Sequence, residues 1–424
     1  MSLRILLTNI RLAERTGTEI VVRDFAARLA ARGHRVTVYS PAVGSFAEDV
    51  KALGIPVVDN LSEVTEPPDI IHGHHAPNTG EAIIAFPEAP AIWICHDSTS
   101  WFDVPPGFSQ VSRIFAVDET CKARLVSLDG VPADRIEILP NAVDLARFKV
   151  RQAPLPDKPL RALSLVKHAG PTALIAEACR RAGIAFEAYG HGVARPIEDV
   201  AERCAEADVV FGTARTALEA MATGAAAILI DGRGFGGLVT TTNYDRGRAL
   251  NFGVGMLHEQ PTVEALIGAL SNYDAADAAA VCRRVRQDAD LEPAITRLER
   301  TYEEVIAQHR HAAFDPAVFR RQTIDFLRTW CVNLEPPGAW LEERKAMIER
   351  DDRLEAELIS ASRRLADIEA ELAAEKDVSG ALRDHIAQNE ATIRQLRAHI
   401  DRSERSRSVR VAKALRRFLG RSRS

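Results

Sequence analysis

The stretch Arg4–Ser40, RILLTNIRLAERTGTEIVVRDFAARLAARGHRVTVYS, decides the fold class. Ile5, Leu6 and Leu7 make a short apolar run of strand length, and Gly17-Thr18-Glu19 marks a turn. From Ile20 to Ala31 the apolar residues Val21, Phe25 and Leu29 recur at helical spacing, and Gly33 closes the helix. Val36-Thr37-Val38-Tyr39 is the next strand, ending at Ser40-Pro41. A strand, a helix and a strand in that order seed a parallel, doubly wound sheet.

The alternation continues outward. A helix runs to Leu53, and strands are expected at Ile55–Val58, at Ile70-Ile71 leading into a His72-Gly73-His74-His75 loop, and at Ala91–Cys95, Ile114–Val117 and Ile136–Leu139. Asp144–Lys158, rich in charge and proline, reads as an interdomain linker. Beyond it the pattern restarts, with strands at Ala162–Val166, Phe186–Tyr189, Val209–Phe211 and Ala226–Ile230. Helices lie between them at Thr172–Ala182, Glu198–Ala207 and Arg215–Thr223. Two such halves predict an α/β chain of two Rossmann-like domains facing across a cleft, over residues 1–150 and 159–310. Helical segments at Glu292–His309 and Pro316–Val332 follow, with residues 311–335 as a return segment.

Pro336-Pro337-Gly338 then breaks the pattern, and residues 340–402 read as a coiled coil. With Leu354 as a core position, eleven of the fourteen core slots through Ile400 are apolar, at a sustained seven-residue repeat. Glu375 and Ser379, beside Gly380, are weak slots. A lone solvated helix is the competing reading, but single helices of this length gain little stability without a partner. In the tail, 403–424, Val411, Ala412, Leu415, Phe418 and Leu419 share one helical face, and Arg410, Lys413, Arg416, Arg417, Arg421 and Arg423 cover the rest. Such a basic amphipathic helix suits an anionic membrane surface. Nucleic-acid binding and a solvated tail compete for the same charge, but the rest of the chain is acidic and carries no nucleic-acid motif.

Composition narrows the classes. A chain of 424 residues exceeds one ordinary core, and 46% hydrophobic with 27% charged residues is the balance of a globular protein. No run of about 18 apolar residues is present to span a bilayer, and the opening apolar run is too short for a secretion signal. The six cysteines stand apart from one another, without the paired spacing of a zinc or redox site, as buried thiols of a reducing compartment do. The formal charge of −5 hides an asymmetry: Arg402–Ser424 holds nine basic residues and one acidic, or +8, which leaves −13 on the other 401 residues.

Four stretches, in order, carry a family resemblance. They are Gly17-Thr18-Glu19 with its helix through Ala31–Val38, Pro68–His75, Leu139–Phe148 and Ala217–Gly224. Over roughly residues 1–310 the chain resembles the bacterial retaining glycosyltransferases of the GT-B fold (group 1, or family 4-like), which build polysaccharides, lipopolysaccharides and glycolipids. The resemblance implies an acceptor-side first domain and a second domain that binds a UDP- or GDP-sugar as substrate, with no cofactor and no metal. It implies a donor diphosphate against Gly17 and a sugar contact for His96. It also implies front-face displacement, in which the leaving phosphate takes the acceptor's proton. Two features depart from the pattern. Phe211 stands where the first of two glutamates is usual, Glu219 matching the second. Ser164-Leu165-Val166-Lys167 replaces a glycine–arginine pair, with Lys167 the remaining cation.

The residues themselves support parts of that chemistry. A departing diphosphate needs cations and helix N-terminal amides, and Gly212, Thr213 and Arg215 follow a strand and open the helix that carries Glu219. Lys167 ends a strand, where ligands of open α/β sheets bind. Glu219 is placed to accept both ribose hydroxyls. Gly236 and Gly237, in the run Gly232–Gly237, read as a flexible loop that lets backbone approach a ligand. Each has an ordinary counterpart: a solvated Arg215, a loop lysine, a glutamate favoured by the helix dipole, and a core-edge His96. His72, His74 and His75 are read as acceptor contacts, because clustered histidines without nearby carboxylates rarely hold an ion. No Ser/His/Asp or paired-carboxylate arrangement stands out.

The expectation is a glycosyltransferase that moves a sugar from a nucleotide-sugar to a glycan or lipid-linked acceptor in cell-surface glycan synthesis. It would be a cytoplasmic homo-oligomer held peripherally at the inner face of the membrane, with no nucleic-acid partner. A catalytically impaired scaffold organising polysaccharide assembly is the alternative, and a nucleotide-sugar epimerase is a third reading.

Overall fold

The computed structural model describes residues 2–15, 17–166, 169–190, 193, 197 and 199–332, and, further on, 357, 360, 361, 364, 388, 390–398 and 411. Lys167, most of the coiled-coil repeat 354–400 and nearly all of the tail 406–424 lie outside the described residues. Within the repeat, the core slots Ala361 and Ile393 are buried, whereas Arg364 and Arg394 are exposed.

The first domain runs β1 (Arg4–Thr8), α1 (Gly17–Ala31), β2 (Arg35–Tyr39), α2 (Ser45–Lys51), β3 (Val57–Val58), β4 (Ile70–His74) and α3 (Ala76–Ala85). It continues through β5 (Ala91–Cys95), β6 (Val111–Ala116), α4 (Glu119–Ser127) and β7 (Ile136–Ile138). Its seven parallel strands are ordered β3-β2-β1-β4-β5-β6-β7, so the winding reverses between β1 and β4. Leu6 and Leu7 pair with Ile71 and His72 at that point. The central strands are apolar on both faces because helices cover both, which is why they read as continuous hydrophobic runs.

The second domain begins with β8 (Arg161–Ser164), α5 (Ala169–Ala182), β9 (Ala185–Ala188), α6 (Val200–Glu206), β10 (Val209–Gly212), α7 (Arg215–Thr223), β11 (Ala226–Asp231) and β12 (Gly234–Leu238). Helices α8 (Tyr244–Ala249), α9 (Val263–Ser271) and α10 (Ala275–Asp288) complete it. Its strand order is β12-β11-β10-β8-β9, reversing between β8 and β10. β12 corrects the sequence reading. Gly234–Leu238 is an antiparallel edge strand on β11, not a flexible loop, and its glycines removed the alternation that marks a strand.

Two crossovers join the domains side by side. Val143 N–H donates to Ala289 O at 2.7 Å and Leu291 N–H donates to Val143 O at 3.0 Å. The chain then returns as α11 (Leu291–Arg310), whose Ile295, Leu298, Tyr302, Val305 and Ile306 pack into the core of the first domain. They recur at helical spacing, and each such side chain contributes about 1.5–3 kcal/mol on burial. So α11, placed with the second domain by sequence, completes the first. α12 (Pro316–Leu327) follows it there. A Cβ at Gly80 of α3 would stand 2.1 Å from the Phe326 ring, so the seating of α12 requires glycine at that point.

Candidate active site

Both sheet reversals put their strand C-termini at the junction of the domains, the usual ligand position in open α/β sheets. From the first domain come His74 and His75 at the end of β4 and His96 after β5. From the second come Gly212, Thr213 and Arg215 after β10. α1 lies between the two sets: its Phe25 ring packs 5.6 Å from His72 and 6.5 Å from His74, and the neighbouring Asp24 reaches the second domain.

That reach is an ion cluster. Arg215 Nη2 lies 2.7 Å from Asp24 Oδ2 and 2.8 Å from Glu219 Oε1, one turn further along α7, while Arg23 Nη2 holds the other oxygen of Asp24 at 2.5 Å. Arg215, Asp24 and Glu219 are all buried. Burial raises the Glu219 carboxyl, and the paired guanidinium of Arg215 offsets part of that rise. Burial by itself would lower Arg215, but Glu219 and Asp24 hold it above its ordinary value. Two cations and two carboxylates balance, which is how such charges tolerate the interior. Arg215 is therefore neither solvated nor free: it bridges the domains, and its Nε has no hydrogen-bond partner among the described residues.

The segment that opens α7 is strained. Ala214 has φ 50° and ψ −122°, and its N–H donates to Phe252 O at 2.8 Å. Asn251 and Phe252 also have positive φ, 55° and 50°, so three non-glycine residues in unfavourable backbone regions adjoin one another. Strain of this kind gathers at ligand sites. The Ala214 amide is therefore engaged within the protein and is not available to a ligand. Gly212 serves packing, since a Cβ there would stand 2.5 Å from Thr216 Cγ2. Gly17 opens α1 with free space where a side chain would project. Gly237 has φ +77° and similarly open surroundings, whereas Gly236 is needed by the strand itself, because a Cβ would lie 2.8 Å from Met256 O.

The histidines correct the sequence reading. His72, Gly73 and His74 belong to β4 and are not a loop, and His72 and His74 are fully buried, with His75 nearly so. Residues two apart on a strand share a face, and these two rings stack at 4.7 Å. In this closed arrangement they are out of reach of an acceptor. His72 Nδ1 lies 2.5 Å from Tyr302 Oη, and His74 Nδ1 lies 2.6 Å from His96 Nε2. His75 Nδ1 accepts the Ile10 N–H at 3.3 Å, and its ring meets Phe102 edge-on. Burial lowers His72 to about 3 and His75 to about 4. His96 also falls well below its ordinary value, by burial first and then by its histidine neighbours and Arg215.

The His96 loop is pinned from beneath. Buried Asp103 Oδ2 accepts the His96 N–H at 2.7 Å and the Asp97 N–H at 2.5 Å, and burial raises Asp103 to about 7. Asp97 caps Thr99 and Ser100. Burial acts to raise its carboxyl, but those hydrogen bonds and Arg233 of the second domain bring it below its ordinary value. Arg233 is held by Asp231, with Nη2 2.7 Å from Oδ2. Among the described residues, no group of three or more His, Cys, Asp or Glu side chains is arranged to hold a metal.

Sequence reasoning missed Asp24, Tyr302 and Arg233. Asp24 carried a signal, since it falls three residues after Val21 on the apolar stripe of α1, where a charge requires a buried partner. Phe211, at the usual glutamate position, is a fully buried member of the second domain's core. Cavities at Arg4, Arg35 and Glu63 and at Pro106, Asp129 and Gln322 lie elsewhere, the first at the strand N-termini, opposite the end where ligands bind.

Residues 15–147 match Glycosyltransferase Family 4. Among solved structures, a glycosyltransferase from Rickettsia africae superposes with a TM-score of 0.52 at 14% identity, over 72% of this chain and 99% of its own. Anabaena HepE in complex with UDP and glucose superposes with a TM-score of 0.51 at 16% identity, over 71% and 100%. No curated protein matches the chain. At these identities the likeness is one of fold, and it agrees with the two reversing sheets and paired crossovers described above. The chain thus has the GT-B fold, and residues 15–147 of its first domain match Glycosyltransferase Family 4.

Proposed function

We propose that the chain transfers a sugar from a UDP- or GDP-sugar to a glycan or lipid-linked acceptor, with retention and without a metal, in the synthesis of a cell-surface glycan. The observation that carries the reading is the convergence of His96, Arg215 and Glu219 where the two domains meet. Arg215 and Lys167 take the diphosphate, whose charge grows as the glycosidic bond breaks. Glu219 accepts the ribose hydroxyls, Gly17 and Gly237 leave room for phosphate and sugar, and His96 contacts the transferred sugar. The leaving phosphate accepts the proton of the acceptor hydroxyl. HepE, whose complex holds UDP and glucose, supports a nucleotide-sugar donor. Titration calorimetry with UDP- and GDP-sugars tests this: one should bind, and Glu219→Ala should weaken it, whereas binding by neither would overturn the reading.

A second reading, an inactive scaffold, draws on Phe211, which is packed as core where a donor-contacting glutamate is usual. Under it, nucleotide-sugars do not bind and Glu219→Ala leaves cellular function unchanged.

The extension, in this proposal, joins chains through residues 354–400 and rests on anionic lipid through 406–424, at the inner face of the membrane. The heptad pattern and the +8 tail support it. No helix among the described residues is long and apolar enough to cross a membrane. Truncation after Pro336 should give a monomer that no longer sediments with anionic vesicles. A truncated chain that still pellets with them would remove the tail's role.

A further inference from the structure

Three imidazoles run inward from the domain junction. His96, partly exposed, meets His74 with its ring tilted by 33° at 4.8 Å between centroids, and His74 stacks on His72 at 4.7 Å. His72 ends the row on Tyr302, which α11 brings into the first domain's core. The one hydrogen bond between the upper rings joins His74 Nδ1 to His96 Nε2 at 2.6 Å. Burial keeps both rings neutral near pH 7, so each carries a single N–H. One proton therefore lies between the two nitrogens, and its owner decides what His96 shows to a substrate.

The far side of His74 settles the ownership. Its Nε2 is buried and has no hydrogen-bond partner among the described residues. If His96 owned the shared proton, His74 would carry its own on Nε2, leaving a buried N–H without an acceptor. If His74 owns it, only a lone pair is left over. Orphaned buried N–H groups are the rarer and costlier kind. The second arrangement puts the proton of His96 on Nδ1, the nitrogen with no hydrogen bond among the described residues.

We propose that His74 is a positioning residue: it donates its Nδ1–H to His96 Nε2 and fixes His96 as the Nδ1–H tautomer, so that His96 offers a hydrogen-bond donor, not a base, to a sugar hydroxyl oxygen. This rests on the reading that His96 faces the transferred sugar. It assigns the acceptor's proton to the leaving phosphate, since a His96 held this way has no lone pair free to take it. It also gives the buried His72–Tyr302 pair a purpose, as the floor that holds the His74 ring in place. Second partners of this kind commonly fix which imidazole nitrogen carries the proton.

Nitrogen-15 NMR of the full chain labelled at histidine tests the assignment, with the His96 signals identified by their loss in His96→Gln. The wild type should show His96 protonated at Nδ1 and bare at Nε2. His74→Leu should release it to the Nε2–H form. His74→Asn, whose amide nitrogen falls near the place of Nδ1, should keep the Nδ1–H form. With a donor in turnover, His74→Leu should lower kcat by roughly tenfold or more with KM little changed, and His74→Asn should restore most of it. A wild-type His96 protonated at Nε2 overturns the proposal, and so does a tautomer unmoved by His74→Leu. If His74→Leu does not fold, the wild-type spectrum and His74→Asn decide alone. A wild-type His96 with the expected tautomer, in a chain that transfers no sugar, upholds this assignment and overturns the transferase reading instead.

Discussion

Arg215 of the second domain and Asp24 of the first meet across the domain junction, Nη2 to Oδ2 at 2.7 Å, with both side chains buried. The cation proposed to take the donor diphosphate is therefore already held by a carboxylate of the opposite domain. Under the proposed function, a diphosphate drawn to Arg215 competes with Asp24 for the guanidinium, which couples donor binding to the contact between the domains at α1. The bridge is flanked by others at the crossovers, where Arg28 reaches Asp144 at 2.5 Å and Arg32 reaches Glu292 at 2.5 Å.

Asp24→Asn follows from that competition. Without the carboxylate, Arg215 keeps Glu219 but is released toward phosphate. Nucleoside diphosphate should bind about tenfold tighter, ~1.4 kcal/mol. The loss of one partner from a buried ion cluster should cost about 3 kcal/mol of stability. Calorimetry and thermal unfolding measure both; an unchanged or weaker affinity would show that Asp24 does not compete.

Phe211 is at once a departure from the family pattern and a core residue. Restoring the acidic residue by Phe211→Glu should therefore not restore a donor contact. It should destabilise the second domain by about 4 kcal/mol, through a buried charge and a lost aromatic side chain. A soluble Phe211→Glu chain with raised donor affinity would show that the strand end is more open than it stands here.

Ala214 occupies a backbone region that suits glycine. Ala214→Gly should relieve strain of about 1–3 kcal/mol against a glycine cost of roughly 0.5–1 kcal/mol, for a net gain of about 1 kcal/mol. Thermal unfolding should rise by a few degrees, and a fall would mean that the strain is absent.

Asp103 gives a pH dependence with a definite sign. Its folded carboxyl, raised to about 7 from an ordinary 3.8, holds a proton that the unfolded chain has released. This group therefore lowers stability as pH rises from about 4 to about 7, by up to roughly 4 kcal/mol. Asp103→Asn keeps an oxygen for the His96 and Asp97 amides and should remove that slope. Denaturant unfolding at pH 4.5 and 7 compares the two; equal slopes would place the carboxyl's titration elsewhere.

The sheets were legible because buried parallel strands appear as short apolar runs such as Ala91–Cys95, between helices marked by their own period. β12 was not, since three glycines in five residues carry no alternation. Asp144–Lys158 was read as the linker, and the crossover begins just before it at Val143, whose partner at Ala289–Leu291 is invisible without the fold. Of the candidate site, Arg215, Glu219 and His96 were named from strand ends and one helix turn. Asp24 lies 191 residues from Arg215, and no local spacing announces such a pair. The histidines were seen as a loop because Gly73 interrupts them. Strand alternation instead puts His72 and His74 on one buried face.

Transfer of a sugar at the junction of the domains is the activity proposed for the chain. The most direct test incubates the full chain with a labelled UDP- or GDP-sugar and a membrane extract that contains lipid-linked glycans, beside Arg215→Ala. Label should enter the glycan or lipid fraction with release of nucleoside diphosphate, reduced at least a hundredfold in the variant, ~2.7 kcal/mol of lost transition-state stabilisation. Equal transfer by wild type and Arg215→Ala, or no transfer from any donor, would contradict it.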